Sequence, residues 1–240
     1  MSKTEPEPRV VEDVLDEVLS FNYRSLRTLR DIFLRPGHVA ATFASGDRAT
    51  YTPTMRVWFA VVSWLFLLSV IWGGFGELIL RSSETTGGGL DQLIVEGRRD
   101  IAAMTSHIST VSGLLFVPVT AAFTMLGVLV LRSFRRELSF LQTVQCYFVP
   151  VTAMAAVSTV MLVLSAIRPG LLLWAPLINY GVFVFAATAV IRAVFARTLA
   201  GIIVKTAALT LVVFALTTVA TLITFTIGII YALIAVPPNF

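Results

Sequence analysis

The chain has 240 residues, of which 57% are hydrophobic and 13% are charged. Soluble domains are about 45–50% apolar and about 25% charged, so the composition excludes an ordinary soluble domain. All 14 acidic residues lie between Glu5 and Glu137, and no Asp or Glu follows. So few charges cannot cover a water-facing surface. We therefore predict an all-α, polytopic transmembrane helical bundle with hydrocarbon as its main solvent.

The formal net charge of +4 has a simple interpretation in such a protein. Lys and Arg accumulate on the cytoplasmic loops of membrane proteins, so this basic balance does not indicate nucleic acid as a partner. The single cysteine, Cys146, can form neither an internal disulfide nor a metal site by itself. Residues 1–8 are polar and acidic, which indicates a disordered tail rather than a secretory signal.

Residues 9–56 are expected to form cytoplasmic amphipathic and interfacial helices. Apolar residues recur at helical spacing over 9–35, and Arg24, Arg27 and Arg30 form a basic stripe in the second half. Pro36 and Gly37 end this helix. The second half either lies on the membrane surface or packs on the protein's own cytoplasmic face, and both can hold. A short helical turn over 38–44 is then bracketed by Gly37 and Gly46.

The remaining residues, 57–240, are predicted to form a transmembrane domain of about five helices. Arg56 and Trp58 open the first span as an interfacial anchor pair. A short polar helix is expected near residues 90–104, in the loop after this span. The third span is expected to start with an interfacial stretch before Pro150, and a tight turn follows at Arg168. The predicted spans are about 57–80, 110–131, 141–167, 171–194 and 207–236.

The distribution of basic residues predicts the orientation. They cluster before the first span, between the second and third spans, and between the fourth and fifth spans, whereas the alternate loops are balanced or nearly uncharged. By the positive-inside rule, the N-terminus is expected in the cytoplasm and the C-terminus outside.

One box before the first span carries a resemblance to a known family. Its matching residues are Leu26, Leu29, Pro36, Gly37, Gly46, Arg48, Tyr51 and Pro53. In this box the chain resembles the bacterial domain-of-unknown-function 3667 family of multi-pass membrane proteins. Many members begin with a zinc-ribbon-like pair of cysteines, which this chain lacks, so the resemblance implies no metal. It implies a bacterial inner membrane but no activity.

The box also has a physical interpretation. Gly46 can end the second helix with a left-handed cap. Tyr51 and Trp58 are expected at headgroup depth, with Arg48 and Arg56 able to meet lipid phosphates. The box is thus either a structural membrane-entry module or a specific site for a lipid headgroup or ligand.

No pattern in the chain indicates an enzyme. The two histidines, His38 and His107, are predicted on opposite sides of the membrane, and no hydrolase, zinc-protease or nucleotide-binding motif is present. We therefore predict no catalytic residue, no cofactor and no metal. The last three spans contain no acidic residue or histidine, which argues against a proton pump. Asn179, Gln142 and Gln145 are interpreted as hydrogen-bonding contacts between helices.

The threonines of the fifth span recur at helical spacing at positions 210, 217, 221 and 224. They form either a packing seam or a permeation path, which leaves two hypotheses for the protein. The first is a non-enzymatic accessory or scaffold protein that binds partner proteins, anionic lipids or a second copy through its basic cytoplasmic face. The alternative is a small transporter or channel with a Thr-lined path. The candidate contact residues of the first hypothesis are Arg24, Arg27, Arg30, Arg48, Tyr51 and Arg56.

Overall fold

A computed structural model describes residues 23–71 and 100–237, apart from the side chains of Ala166, Pro169 and Leu172. The described residues contain helices and no strand, as the all-α prediction requires. The helices are α1 (Tyr23–Leu34), α2 (Pro36–Ala44), α3 (Thr54–Ile71), α4 (Ile101–Phe134), α5 (Phe140–Ile167), α6 (Ala175–Val190) and α7 (Leu199–Ala235). The predictions for residues 1–22 and most of the first loop lie outside this part of the chain.

Five of these helices are long and apolar enough to cross a membrane, which confirms the predicted number of spans. They cover Thr54–Ile71, Ile101–Phe134, Phe140–Ser165, Ala175–Phe195 and Leu199–Ala235. The continuation of the first span to residue 80 lies outside the described residues. The predicted turn near Arg168 is a 3-10 helix over Pro169–Leu173.

Two spans begin earlier than predicted, because polar residues cap each of them ahead of its apolar run. Asp100 accepts a hydrogen bond from the backbone N–H of Ala102 at 2.8 Å, so α4 starts at Ile101 instead of 110. Thr198 caps α7, so this helix starts at Leu199 instead of 207. The helices have 34 and 37 residues, and each is longer than the roughly 20 residues that cross the hydrocarbon core.

The third span differs from its prediction at the start. Helix α5 is continuous from Phe140, and Pro150 lies inside it rather than after an interfacial stretch. Ser139 and Gln142 form a reciprocal capping box that fixes this N-terminus. Cys146 and Phe148 are fully buried. From its second turn onward, α5 is therefore part of the protein core.

Helix α5 packs against α3 on one side and α6 on the other, whereas α4 packs mainly along α7. The α4–α7 pair crosses closely at Gly228, where an added Cβ would lie 2.4 Å from the Ser112 Oγ. Small residues allow such close approach between membrane helices. Towards the ends of both helices, Met104, Ile108, Ala232 and Val236 form a second buried cluster. The bundle thus consists of an α3–α5–α6 group and an α4–α7 pair.

Basic side chains join the helix ends at one end of the bundle, which we call the basic end. Lys205 Nζ donates to the carbonyl of Phe195 at 2.8 Å and to that of Phe134 at 3.4 Å. Arg135 Nη1 donates to the carbonyl of Val194 at 2.9 Å. Cations near helix C-termini satisfy carbonyls that have no partner within the helix. Arg135 and Lys205 therefore have a structural role.

Candidate functional site

Helix α1 is an amphipathic helix with its polar side turned inward. Ser25, Thr28 and Asp31 are buried, together with Ile32. An amphipathic helix on a protein surface normally buries its apolar stripe. Here the inward face is polar because it hydrogen-bonds to the loop that connects α2 and α3.

The outward face of α1 is correspondingly apolar. Leu26 is 55% exposed and Leu34 is 68% exposed, with Tyr23 and Phe33 also exposed. Positions 23, 26, 30, 33 and 34 share one helical face, because residues three and four apart lie above one another. Arg30 is on this face, and the exposed Arg27 lies at its edge. The predicted combination of leucines and arginines is therefore present on the exposed surface.

Tyr51 and Asp31 form the centre of the contact between α1 and the loop. Tyr51 Oη donates to Asp31 Oδ2 at 3.0 Å, and the Tyr51 side chain is only 2% exposed. Arg30 donates to Asp31 Oδ1 from Nε at 2.9 Å and from Nη2 at 2.8 Å. The guanidinium of Arg27 lies over the Tyr51 ring, 5.8 Å from its centroid. A buried carboxylate is thus held by a phenol and an arginine, with a second arginine close by.

This environment shifts the pKa of both partners. Burial raises the pKa of Asp31, but hydrogen bonds from Arg30 and Tyr51 and the charges of Arg30 and Arg27 outweigh it, so the net pKa lies below its ordinary value. The pKa of Tyr51 is raised by burial and by its hydrogen bond to the Asp31 carboxylate. The pair therefore consists of an ionised carboxylate and a neutral phenol at physiological pH.

Arg24 joins the start of α1 to the same loop. Its Nη2 donates to the carbonyl of Tyr51 at 2.7 Å and also to the carbonyl of Arg48. Thr28 Oγ1 accepts from the backbone N–H of Thr52 at 3.0 Å. Arg24 is therefore occupied by backbone carbonyls, so it acts mainly as a structural residue.

The loop itself has a fixed conformation. Gly46 has a φ of +90°, and its N–H bonds to the carbonyl of Phe43 while that of Asp47 bonds to Thr42. These two bonds form the Schellman cap that Gly46 predicts. The Asp47 carboxylate then accepts from the backbone N–H groups of Ala49 and Thr50. Hydrogen bonds from the Thr50 hydroxyl and these amides hold the pKa of Asp47 below its ordinary value.

Helix α2 connects this region to the bundle. An added Cβ at Gly37 would lie 2.8 Å from the carbonyl oxygen of Ala189, so glycine permits close contact with α6. Cys146 Sγ lies 3.4 Å from the carbonyl oxygen of Ala40, and Gln142 Nε2 donates to that of Ala44 at 3.0 Å. We call α1, α2 and the loop 45–53 the entry module, and it packs on the bundle as one unit.

One contact at the start of the first span could not be predicted from the chain order. The Thr54 N–H donates to Gln145 Oε1 at 2.6 Å, and Thr54 Oγ1 donates to the carbonyl of Gln145 at 2.7 Å. Trp58, one turn later, is 2% exposed and packs on Phe148. Trp58 is therefore a core residue, and its predicted position as an interfacial anchor is wrong.

The structure divides the six predicted contact residues into two groups. Arg27, Arg30, Arg48 and Arg56 are exposed and able to meet a ligand. Arg24 is half-buried on the loop carbonyls, and Tyr51 is buried against Asp31, so their side chains support the entry module from within. Arg35 was not among the six, yet it is exposed and its charge acts on Tyr51. The sequence feature that indicates Arg35 as a contact residue is its position in the basic segment, directly before Pro36.

A second feature lies between the two groups of helices and is bordered partly by residues exposed at the surface, among them Phe214 and Leu222. A cavity of about 590 Å³ separates the α3–α5–α6 group from the α4–α7 pair. Its walls are mainly apolar and aromatic, and among the described residues no Asp, Glu, Lys, Arg or His lines it. The hydroxyl-bearing and amide residues of its wall are Thr120, Thr124, Tyr147, Ser158, Asn179, Tyr180, Thr217, Thr218 and Thr221.

Two of the predicted seam threonines, Thr217 and Thr221, therefore line a cavity, whereas Thr224 is buried outside its wall. Thr217 Oγ1 lies 2.7 Å from Tyr180 Oη. The Oδ1 of Asn179 is buried and has no hydrogen-bond partner in the described part of the chain. The prediction of a helix–helix contact is confirmed for Gln142 and Gln145, whereas Asn179 faces this cavity.

Within residues 23–71 and 100–237, no group of three or more His, Cys, Asp or Glu side chains is placed to hold a metal ion. His38 belongs to the entry module, where its ring contacts that of Tyr51. His107 lies on α4 and contacts Tyr231 near the end of α7. The two histidines are thus held in different contacts.

Comparison with known proteins gives one match. Residues 24–66 match the family model of a protein of unknown function, DUF3667, which confirms the resemblance suggested by the box around Pro36 and Gly37. The matched segment covers α1, α2, the loop and most of α3, so it coincides with the entry module and the span that follows. No curated protein and no solved structure matches the chain.

Proposed function

We propose that this multi-pass membrane protein, similar in its entry module to a family of unknown function, is a non-enzymatic accessory protein that binds anionic lipid at its basic end. The observation that carries the proposal is the outward face of α1. Exposed Leu26 and Leu34 lie there beside Arg30, while the polar side of the helix is buried in the protein. Helices that lie in the membrane interface place apolar residues in the acyl boundary and arginines at the phosphates.

The charges of the entry module support the same ligand. Arg27, Arg35, Arg48 and Arg56 are exposed, and no ion pair to any of them is present among the described residues. Planar guanidinium groups bind phosphate oxygens through paired hydrogen bonds. Each Lys or Arg near an anionic leaflet contributes about 1 kcal/mol to binding. A phosphate-bearing lipid headgroup therefore fits this surface better than a neutral one.

The proposal places the basic end in the cytoplasm of a bacterium, at the inner membrane, with the C-terminus outside. Clustered arginines support this orientation because basic loops remain on the cytoplasmic side. A partner membrane protein or a second copy of this chain could bind to the same face of α1, with lipid between it and this protein. The exposed apolar side chains beside the arginines favour a lipid surface as its first ligand.

Spin-label depth measurements test the position of α1. Nitroxide labels are placed at Leu26→Cys and, as a matched control, at Ala49→Cys. Ala49 belongs to the loop that packs against the inward side of α1. Both variants are made in a Cys146→Ala background. In nanodiscs containing phosphatidylglycerol, we expect the label at 26 to be accessible to oxygen and the label at 49 to a water-soluble nickel complex. Equal nickel access at both positions, or protection of position 26 from both reagents, would refute the proposal.

Lipid retention tests the arginines separately. The double variant Arg27→Gln/Arg30→Gln is compared with Arg168→Gln, which removes an exposed arginine beyond the opposite end of α5. Loss of two charges near the surface should lower the phosphatidylglycerol bound in native mass spectra by about tenfold or more. Retention in the double variant equal to that in Arg168→Gln would contradict the proposed site.

A second candidate function is transport, and the cavity between the two groups of helices favours it. Thr217 and Thr221 line this cavity, as a Thr-lined path would require. The wall without charged residues fits a neutral solute better than an ion, because an ion there would be without a charged partner. Uptake of a neutral solute such as glycerol into proteoliposomes, compared with protein-free liposomes, measures this activity. Equal rates in both would refute transport of that solute.

A further inference from the structure

We infer that the cavity between the α3–α5–α6 group and the α4–α7 pair is a binding site for a neutral, single-chain lipid alcohol, whose hydroxyl donates a hydrogen bond to Asn179 or Tyr180. The inference is independent of the lipid surface proposed for α1. It rests on the shape of the cavity, its lining and the direction of its hydrogen bonds.

The size and lining of the cavity suit an organic ligand. Its volume is about 590 Å³, and small-molecule sites in proteins measure roughly 300–1,000 Å³ and are mostly apolar with a few polar groups. Phe116, Phe123 and Phe214 contribute aromatic walls. The lining residues come from the middle turns of α4, α5 and α7, from α3 and from the first two turns of α6. All five helices are candidate spans, so the cavity lies within the membrane-spanning part of the bundle.

The lining also excludes a charged ligand. Within residues 23–71 and 100–237, no ionisable group other than the phenols of Tyr147 and Tyr180 contributes to the wall. Transfer of an isolated carboxylate or ammonium into such surroundings is very unfavourable. A fatty acid anion or a phospholipid headgroup therefore does not fit, whereas an uncharged head on an aliphatic chain does.

The hydrogen bonds determine which neutral head is recognised. Thr217 Oγ1 lies 2.8 Å from the carbonyl of Val213 and 3.1 Å from that of Phe214, both within its own helix, and 2.7 Å from Tyr180 Oη. When Thr217 donates its only hydrogen to one of these carbonyls, Tyr180 donates its own to Thr217. The oxygen of Tyr180 then remains an acceptor. Asn179 Oδ1, one residue earlier, is a second acceptor without a partner among the described residues. A ligand that supplies a donor satisfies these oxygens, and a hydroxyl group does so without charge.

Trp58 provides a reporter for occupancy. It lines the cavity and is only 2% exposed, so a quencher dissolved in the surrounding detergent does not reach it. The variant Trp64→Phe/Trp72→Phe/Trp174→Phe leaves Trp58 as the only tryptophan. We titrate it with 9,10-dibromooctadecanol, whose bromines quench a tryptophan at contact, and with two analogues of equal chain length. The first analogue is the carboxylate 9,10-dibromostearate, and the second is its methyl ester, which is neutral but has no hydrogen-bond donor.

We expect saturable quenching by the alcohol and at least tenfold weaker quenching by the carboxylate and by the methyl ester. A matched protein that keeps only Trp174, which is exposed and outside the cavity wall, reports partition into detergent and should show no such preference. Absence of quenching by the alcohol refutes the inference, as does equal quenching of Trp58 by all three probes. Quenching by the ester equal to that by the alcohol refutes the role of the donor.

Two substitutions locate the site. Thr217→Val removes the hydroxyl that orders Tyr180 and should weaken alcohol binding about three- to tenfold. Thr210→Val is the control, because Thr210 lies on the same helix and makes the same kind of bond, to the carbonyl of Thr206, outside the cavity. Ser158→Phe fills the cavity and should abolish quenching while the melting temperature shows a folded protein. Unchanged binding in both Thr217→Val and Ser158→Phe would overturn the assignment to this cavity.

Discussion

Tyr51 Oη donates a hydrogen bond to Asp31 Oδ2 at 3.0 Å, and this bond joins the middle of α1 to the loop that leads into the first span. The two residues are 20 positions apart in the chain. Both are buried, so the bond fixes how α1 lies on the loop within the entry module. It thereby determines that Leu26 and Leu34 face outward.

Tyr51→Phe should destabilise the entry module. The substitution removes one donor from a buried carboxylate, and such losses cost about 1–3 kcal/mol. Thermal unfolding in detergent measures the effect, with Tyr231→Phe as a control because Tyr231 is half exposed near the end of α7. An equal melting temperature for Tyr51→Phe and the unaltered protein would show that this bond contributes nothing.

Acid should weaken the same contact. The folded pKa of Asp31 lies below its ordinary value of 3.8, so the ionised carboxylate stabilises the fold above that pH. This contribution decreases as the pH falls from about 3.8 through the lowered folded pKa. Melting curves between pH 3 and pH 7, compared with those of Asp31→Asn, isolate the effect. An equally steep fall of the melting temperature with decreasing pH in both proteins would contradict a stabilising role of the Asp31 carboxylate.

At alkaline pH the sign is opposite. The folded pKa of Tyr51 is raised above 10.0, so the neutral phenol stabilises the fold below that pH. The contribution is lost as the pH rises through the raised value. At alkaline pH, the melting temperature of Tyr51→Phe should therefore fall less steeply with rising pH than that of the unaltered protein. An equally steep fall in both proteins would exclude Tyr51 as the source of the alkaline loss of stability.

Gly37→Ala and Gly181→Ala should have opposite effects. At Gly37 the new Cβ would lie 2.8 Å from the backbone oxygen of Ala189, so α2 must shift from α6 at a cost of about 1–3 kcal/mol. At Gly181, inside α6, nothing lies within 4 Å of the new Cβ, and alanine favours a helix by up to about 1 kcal/mol. Melting temperatures of the two variants test this, and equal shifts would contradict the close contact.

Lys205→Met should destabilise the basic end. The ammonium donates to the terminal carbonyls of two helix segments, at Phe134 and Phe195, and its loss leaves them without that donor. We expect a cost of about 1–3 kcal/mol. Arg197→Gln is the control, because Arg197 is an exposed cation just before the helix that contains Lys205. Equal melting temperatures for the two variants would show that only charge matters there.

Much of the fold could be predicted because its signals are local. Five apolar runs predict five spans, and the turn near Arg168 and the cap at Gly46 follow from proline and glycine. The helix starts at Ile101 and Leu199 were missed because Asp100 and Thr198 cap each helix ahead of its apolar run. Local hydropathy marks the membrane core, whereas polar caps extend helices beyond it.

The candidate sites depended more on tertiary structure. The sequence showed the arginines, leucines and threonines, and their spacing predicted a basic amphipathic helix and a Thr-lined face. The contacts of Asp31 with Tyr51 and of Thr54 with Gln145 join distant positions, and no local pattern indicates them. The same position, at the membrane surface, was therefore predicted for Tyr51, Trp58, Arg27 and Arg48. In the structure the two aromatic side chains are buried, and only the two arginines are exposed.

Composition alone determined that this is a helical membrane protein, because a chain with no acidic residue after Glu137 cannot cover a surface with water-facing groups. Only the tertiary structure decided which side of α1 faces outward and that Thr217 borders a cavity. The physical reason is that hydrophobicity acts on each segment independently, whereas buried hydrogen bonds require two partners that the fold must bring together.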